Sequence, residues 1–253
     1  ITKKSLGADH PEVARGLNNL GQLYQTQGWY AQAEPLLMQA LAIRESYLGS
    51  DDLDVANSLF NLAQLYAAET RYAEAETLYK RSLVIREKIS GADDLDVAMV
   101  INDLASLYTD QGQYTQAEPL LQRTLSIYEK FLDVNHPEVA TTVGNLAQLY
   151  LRQGQYAKSE PLFQQALAID EKSLGINHPR VAFDLRGLAE IYQAQGQYAQ
   201  AQPLYQRALA IQEKSLGADH PDIAKTLHRL AEIYILKERV PPANLHEIFF
   251  CPC

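Results

Sequence analysis

Histidine recurs at four equivalent places in the sequence, and it is the side chain most often used for metal binding and for proton transfer near neutral pH. His10, His136, His178 and His220 are separated by 42 residues or a multiple of 42. Each is expected in a separate loop, so neighbouring histidines would lie at least a helix-packing distance of about 8–10 Å apart. A Zn–N bond measures only about 2 Å. The sequence therefore predicts that these histidines cap helices and share no ion.

A second group of metal-ligating types, His246, Cys251 and Cys253, lies on a short C-terminal stretch. Three ligands do not complete the four-coordinate set of a structural zinc site. The sequence also contains no glycine-rich phosphate loop, no nucleophile elbow and no paired carboxylates of a cleft. We predict no catalytic residue, no metal site and no cofactor, and hence a protein that is not an enzyme.

Asparagine also recurs, at Asn19, Asn61 and Asn145, with Asp103 at the intervening equivalent position. A side-chain amide both donates and accepts, so asparagines at regular intervals can bond the N–H and C=O groups of an extended peptide whatever its sequence. The alternative is that these amides bond within the protein and serve its packing. The sequence leaves both interpretations open.

The elements that position these side chains follow a tandem repeat. The segment ending at Tyr24 returns with its tyrosine at 42-residue intervals, as Tyr66, Tyr108, Tyr150, Tyr192 and Tyr234. A fixed period in this range is typical of a solenoid, in which each unit buries its apolar face only against its neighbours. The predicted segments are the end of a truncated preceding repeat (1–10), five repeats (11–52, 53–94, 95–136, 137–178 and 179–220), the first helix of a sixth repeat (221–237) and a non-repeat tail (238–253).

Each repeat is predicted to contain two helices. The spacing of Val13, Leu17, Leu20 and Tyr24 makes one apolar stripe on the first helix, and we predict that this stripe and the recurring tyrosines are core. The predicted N-caps are Asp9, Asp51, Asp93, Asn135, Asn177 and Asp219. Left-handed turns are predicted at Gly28, Gly112, Gly154 and Gly196, with Glu69-Thr70 as the non-glycine variant in the second repeat. Small residues on the second helix, at Ala33, Ala75, Ala117, Ser159 and Ala201, would allow the paired helices to approach closely.

Charge and hydropathy exclude several kinds of partner. The net charge of -9 lacks the basic footprint that binding to a phosphate backbone requires, so we predict no nucleic-acid partner. No run of about 18 apolar residues and no signal peptide are found, so we predict no membrane span and a cytoplasmic location.

Because of the residues that recur at the 42-residue period, positions 1 to about 237 resemble a tetratricopeptide array. The helix start from Asp9 to Ala14 and the helix from Ala33 to Leu36 resemble the 42-residue kinesin light chain subgroup, and the glutamine-rich linkers such as Gln111 to Tyr114 resemble bacterial relatives. The resemblance implies an all-α fold, a right-handed superhelical solenoid of antiparallel helix pairs. It also implies that the first helices line a concave groove that holds an extended peptide.

If the leucine and tyrosine stripe is buried, a different stripe of the first helices must face that groove. The predicted peptide-binding residues are Arg15, Asn19, Gln22, Asn57, Asn61, Gln64, Asp103, Asn145, Gln148, Arg152, Arg186, Lys225 and Arg229.

Positive charge gathers near Asn145, at Arg186, Lys225, His228 and Arg229. Related arrays use a lysine, an arginine and two asparagines to hold a terminal carboxylate. Asn145, Lys225 and Arg229 match that set, but Thr141 and Gly187 stand where a lysine and a second asparagine would be. We therefore expect at most an acidic side chain or short acidic motif on the ligand, against the alternative of a solvated charged face.

The sequence thus predicts a protein–protein interaction module with a protein or peptide ligand. Two other interpretations stay open. One is a structural scaffold that associates end to end as a homo-oligomer through the apolar faces of its terminal helices. The other is a regulatory repeat region of a larger multidomain protein.

Overall fold

The computed structural model describes Gly7 and residues 10–216 and 220–239. The chain divides into two compact units, unit 1 over Ile1–Ile176 and unit 2 over Asn177–Cys253. Every regular element of the described residues is an α-helix. Unit 1 contains α1 (Pro11–Thr26), α2 (Tyr30–Leu48), α3 (Leu53–Ala68), α4 (Tyr72–Ser90), α5 (Leu95–Asp110), α6 (Tyr114–Phe131), α7 (Pro137–Arg152) and α8 (Tyr156–Ser173). Unit 2 contains α9 (Pro179–Ala194), α10 (Tyr198–Leu216) and α11 (Pro221–Arg239).

The helices pack in consecutive pairs. In unit 1 the pairs are α1–α2, α3–α4, α5–α6 and α7–α8, and in unit 2 α10 packs on both α9 and α11. Short connections make the members of a pair antiparallel. In unit 1 α2 also packs on α3, α4 on α5 and α6 on α7, and the first helices contact one another, α1 with α3, α3 with α5 and α5 with α7. The predicted all-α solenoid of antiparallel helix pairs is confirmed in each unit.

The described N-caps of α3, α5, α7 and α9 lie one residue later than predicted. The N-caps are His10, Asp52, Asp94, His136 and His178, so the predictions at Asp51, Asp93, Asn135 and Asn177 were wrong. Those at Asp9 and Asp219 lie outside the described residues. In α1 the Nδ1 atom of His10 accepts the amide of Glu12 at 3.2 Å, and His220 accepts that of Asp222 at the same distance. The helix-capping role of the recurrent histidines is confirmed.

The turn within each pair needs a residue with left-handed backbone. Gly112 has φ of 73°, and the next amide, of Gln113, bonds to the carbonyl of Tyr108 at 2.8 Å. Thr70 makes the same turn in the second repeat with φ of 61°. A side chain in this conformation costs roughly 1–2 kcal/mol because Cβ crowds the following carbonyl. Thr70 is therefore the strained variant that the repeat pattern predicted.

The predicted small residues lie where the two helices of a pair cross. Ala33, Ala75, Ala117, Ser159 and Ala201 are all fully buried. On the facing helix of the first pair, a Cβ built on Gly21 would lie only 2.7 Å from Cγ of Leu37. The crossing therefore has no room for a larger side chain.

The predicted core stripe is buried only where a neighbouring repeat covers it. Leu62 is 4% exposed, whereas its equivalent Leu20, on the first described helix, is 40% exposed. Similarly, Tyr66 is 7% exposed and its equivalent Tyr234, on the last described helix, is 49% exposed. The prediction that Leu20 and Tyr234 are core residues was wrong, because the period treats all repeats alike while burial depends on what packs outside each one.

Leu62 and Leu20 provide a matched pair for testing this core. Leu62→Ala is expected to lower the free energy of unfolding by about 2–5 kcal/mol, because it removes buried apolar atoms and leaves a cavity. Leu20→Ala removes the same atoms from an exposed site and should change stability much less. Chemical denaturation followed by circular dichroism measures both, and equal losses would contradict the assigned burial.

Candidate functional site

The predicted binding residues of unit 1 lie on the first helices, where these helices contact one another. Side chains of α1 and α3, and of α3 and α5, meet there through hydrogen bonds. We call this side of α1, α3, α5 and α7 the inner face. Its polar side chains differ from one junction between repeats to the next.

At the junction of α1 and α3 the amides bond one another. Asn61 is 6% exposed. Its Oδ1 accepts from Nε2 of Gln22 at 3.0 Å, and its Nδ2 donates to Oδ1 of Asn18 at 2.9 Å. Asn18 in turn donates to Gln22 at 3.4 Å. The three side chains therefore close a ring, and the amide of Asn61 is engaged as both donor and acceptor inside the array.

At the junction of α3 and α5 a carboxylate takes the place of the asparagine. Nε2 of Gln64 donates to Oδ2 of Asp103 at 2.8 Å, and Tyr79 also hydrogen-bonds to Asp103. Burial raises the pKa of Asp103 to about 6, assisted by the negative charge of Glu138 and opposed by the bonds from Gln64 and Tyr79. Asp103 is therefore a carboxyl that titrates closer to neutral pH than an exposed aspartate.

Asn57 hydrogen-bonds to a buried cation, Arg86, which the sequence did not lead us to expect. The side chain of Arg86, 2% exposed, donates from Nη2 to Oδ1 of Asn57 at 2.5 Å and forms an ion pair with Asp96 at 2.9 Å. Arg44, at the equivalent position of the preceding repeat, is also buried and donates to Ser58 at 2.8 Å. The signal available in the sequence was an arginine at the same repeat position in two successive second helices.

The junction of α5 and α7 is different, because its polar groups are left without partners. Ser106 of α5 and Asn145 of α7 are half-buried, as is Gln148 three residues further along α7, and no side-chain hydrogen bond involves any of them within the described part of the chain. Asn102 is 3% exposed, and its Oδ1 has no donor among the described residues. In the first repeat the equivalent oxygen, of Asn18, accepts from Asn61. This junction therefore holds the unused amides of the inner face.

The remaining predicted residues of unit 1 lie at its two ends. Arg15 is exposed and pairs with Glu12 at 2.5 Å, and Asn19 is exposed. Arg152 pairs with Asp110 at 3.9 Å.

In unit 2 the predicted cations are accompanied by carboxylates. Asp222 lies 4.0 Å from Arg186 and 3.0 Å from Lys225, and Glu232 lies 3.1 Å from Arg229. The bond from Arg229 is the main cause of the lowered pKa of Glu232. Nε of Arg186 is buried and has no partner among the described residues. Each of the three cations therefore has a carboxylate within 4.0 Å, although Lys225 remains largely exposed.

The recurring tyrosines also have a polar role that the sequence analysis missed. The hydroxyl of Tyr108 donates to Glu76 at 3.0 Å, and that of Tyr150 donates to Glu118 at 2.9 Å, in each case reaching back to the preceding repeat. Burial, together with the bond to Glu76, raises the pKa of Tyr108. Glu34, Glu76 and Glu118 recur at the period of the tyrosines, and that shared period was the available signal.

The described residues contain no group of three or more histidine, cysteine, aspartate or glutamate side chains placed to hold a metal ion. None of the helices in that part of the chain combines the length and the apolar character needed to cross a bilayer. The stretch with His246, Cys251 and Cys253 lies outside the described residues.

Comparison with known proteins gives matches along the whole array. The family model described as tetratricopeptide repeat matches residues 1–46, 12–88, 54–130, 96–172, 138–214 and 181–246. Kinesin light chain "nearly identical TPR-like repeats" from Podosopora anserina are 31% identical over 83% of this chain and 99% of that chain, with a TM-score of 0.59. Comparison with curated protein sequences gave no match.

Two more distant structures are similar in fold. BtubC (BKLC) from P. vanneervenii is 22% identical and covers 84% of each chain, with a TM-score of 0.61. The Rap protein complexed with Competence and Sporulation Factor is 18% identical over 88% of this chain and 65% of that chain, with a TM-score of 0.68.

The raised pKa of Asp103 gives a pH-dependent test. A carboxyl whose pKa is higher in the folded state than in the unfolded state, where it is about 3.9, stabilises the fold while it is protonated. This stabilisation is complete below about pH 3.9 and is lost as the pH rises through the folded-state pKa. The unfolding free energy of the wild type minus that of Asp103→Asn should therefore fall from about pH 4 to beyond pH 6 and then level. Urea denaturation across this pH range measures the difference, and a constant value would contradict the assignment.

The buried Arg86 gives a second test. Asp96→Ala leaves the guanidinium buried without its carboxylate and is expected to cost about 1–3 kcal/mol of unfolding free energy. Glu12→Ala is the matched control, since it removes the carboxylate at the equivalent position of α1, breaks only the exposed pair of Glu12 with Arg15 and should lower the denaturation midpoint much less. If the two variants unfold at the same midpoint, the buried cation does not depend on Asp96.

Proposed function

The chain belongs to the tetratricopeptide repeat family, and on that premise we propose that it is a non-catalytic protein-interaction module whose inner face binds an extended segment of a partner. Members of this family generally bind other proteins, and the mode of binding and the contact residues proposed below are specific to this chain.

One observation carries the proposal: α7 has unused hydrogen-bonding groups on the inner face. Asn145 and Gln148 each offer a donor and an acceptor without a partner among the described side chains. The main chain of an extended peptide presents N–H and C=O groups in alternation, which side-chain amides can bond regardless of sequence. Asn145 and Gln148 are therefore the central contacts of the proposed site.

The other predicted residues take different roles in this proposal. Asn61, Gln22 and Gln64 bond within the array, so they support the inner face and do not bind the peptide directly. Asn57 is held by Arg86 in the same way. Asn19, Arg15 and Arg152 remain exposed and extend the surface available to a ligand.

An acidic ligand receives weaker support. Arg186, Lys225 and Arg229 each have a carboxylate within 4.0 Å, so an incoming acidic group would compete with Asp222 or Glu232. Lys225, with 71% of its side chain exposed, is the cation of these three best placed to gain a second partner.

A protein of the same fold, the Rap protein, is complexed with Competence and Sporulation Factor, so the fold is compatible with holding another molecule.

A scaffold function is the second candidate, favoured by exposed apolar side chains on the terminal described helices. Leu23 of α1 is 52% exposed and Ile235 of α11 is 53% exposed. Association of copies through these helices would generate a growing chain of repeats. The same sample used for peptide binding distinguishes the two candidates when its mass is measured at several concentrations.

Panning a library of random peptides on the full chain tests the proposed function. Enriched peptides should bind at least tenfold more weakly to the double variant Asn145→Ala and Gln148→Ala, measured by fluorescence anisotropy. Gln122→Ala, at an exposed position of α6, is the control and should bind as the wild type does. Retained affinity in the double variant would place the ligand elsewhere, and no enrichment together with mass growth would favour the scaffold.

A further inference from the structure

A row of exposed apolar side chains follows the edge of unit 1 where second helices end. Tyr47, Ile89 and Phe131 occupy the same position in three successive repeats and are 63%, 46% and 53% exposed. Leu53, Leu95 and Val134 are exposed on the same edge. We call Tyr47, Ile89 and Phe131 the edge row. It lies at the ends of α2, α4 and α6, away from the inner face.

Helical spacing explains why this position is apolar in sequence yet exposed in structure. In α2, Ala33, Leu37, Ala40 and Arg44 are buried at intervals of three or four residues, and Tyr47 continues that stripe. Tyr47 lies in the last turn of the helix, beyond the residues that the neighbouring helices cover. Ile89 and Phe131 stand at the corresponding places in α4 and α6.

The fold itself does not require an apolar side chain at this position. Ser173 and Ser215 occupy it in the next two repeats, and each hydroxyl donates to a carbonyl of the preceding turn at 2.8 Å. Serine thus closes the same helix equally well. Three successive repeats nevertheless have a large apolar side chain exposed to solvent at this position. Exposed apolar side chains that the fold does not require favour a role in binding.

Ion pairs between repeats keep the edge row contiguous. Nζ of Lys88, the neighbour of Ile89, lies 2.6 Å from Asp51, which follows the end of α2. Nζ of Lys130, the neighbour of Phe131, lies 3.1 Å from Asp93, which follows the end of α4. Each of these two junctions along the row therefore carries one acid paired with one base.

We propose that the edge row is the contact surface for a second copy of this chain, related by a twofold axis at Ile89. The twofold places Tyr47 against Phe131 of the other copy and Ile89 against its own equivalent. The same axis brings the pair Asp51–Lys88 of one copy over the pair Asp93–Lys130 of the other copy. Each carboxylate can then face a lysine of the other copy. The pattern is complementary to itself under this operation, as an isologous interface requires.

Other occupants fit the charges less well. A strongly acidic or basic partner meets charges that are already paired along the row, whereas a second copy offers matching apolar groups and matching ion pairs. The aromatic content of the row is typical of interface cores. This inference is independent of the proposed peptide site, because the edge row and the inner face share no residue.

Sedimentation of the full chain over a wide concentration range tests the proposal. The wild type should approach twice its mass of 28.3 kDa and grow no further. The double variant Ile89→Ser and Phe131→Ser, which introduces the serine of the later repeats, should remain at one copy with unchanged helicity. Val84→Ser, an exposed apolar residue of α4 whose equivalent in the next repeat is Ser126, should dimerise as the wild type does.

A wild type that stays monomeric at the highest concentration overturns the proposal, as does a double variant that still dimerises. Growth beyond two copies overturns it in favour of association through the terminal helices.

A cysteine crosslink tests the position of the axis. Ile89→Cys, in a background with Cys251→Ser and Cys253→Ser, should form a disulfide-linked dimer on mild oxidation, because a residue on a twofold axis meets its own copy within disulfide range. Val84→Cys in the same background is expected to remain uncrosslinked. Equal crosslinking by the two variants, or none by Ile89→Cys, would rule out this interface.

Discussion

The close crossing of the two helices within each repeat is the constraint on which the rest of the structure depends. A fully buried small residue such as Ala33 or Ala75 marks each crossing, and Gly21 faces Leu37 with no space for a side chain. This contact gives every pair the same shape. A pair of this shape leaves apolar surface uncovered, so the pairs must stack, and equal pairs stack at equal intervals.

Polar contacts on this uniform frame are individual to each junction. The first junction closes a ring of amides around Asn61, the second binds a partly buried carboxyl at Asp103, and the third leaves Asn102 and Asn145 without partners among the described side chains. The apolar contacts therefore determine the fold, while the polar contacts distinguish one repeat from another. Functional differences along the array are therefore expected to follow the polar contacts.

The sequence was sufficient to predict the helix pairs, the left-handed turn at Thr70 and the capping histidines, because each depends on local chemistry repeated at a fixed period. It was insufficient where the outcome depends on neighbours. The exposure of Leu20 follows from what packs outside α1, which the period does not encode. The hydrogen bond from Asn61 requires Asn18, and the equivalent position in the next repeat is occupied by a phenylalanine. Only the distance between the two helices shows that this bond forms. The capping error of one residue arose because two neighbouring side chains at each helix start can accept an amide hydrogen, such as Asp51 and Asp52 or Asn135 and His136.

The tyrosine–glutamate bonds between repeats bear on how such a gene can change length. Glu76 bonds to Tyr108 and Glu118 bonds to Tyr150, each across 32 positions. A duplicated copy of one whole repeat carries a tyrosine for the glutamate before it and a glutamate for the tyrosine after it. Recombination in units of the period therefore lengthens or shortens the array without leaving a buried hydroxyl unbonded, whereas an insertion of any other size does not. Selection can thus alter the number of repeats separately from the chemistry that joins them.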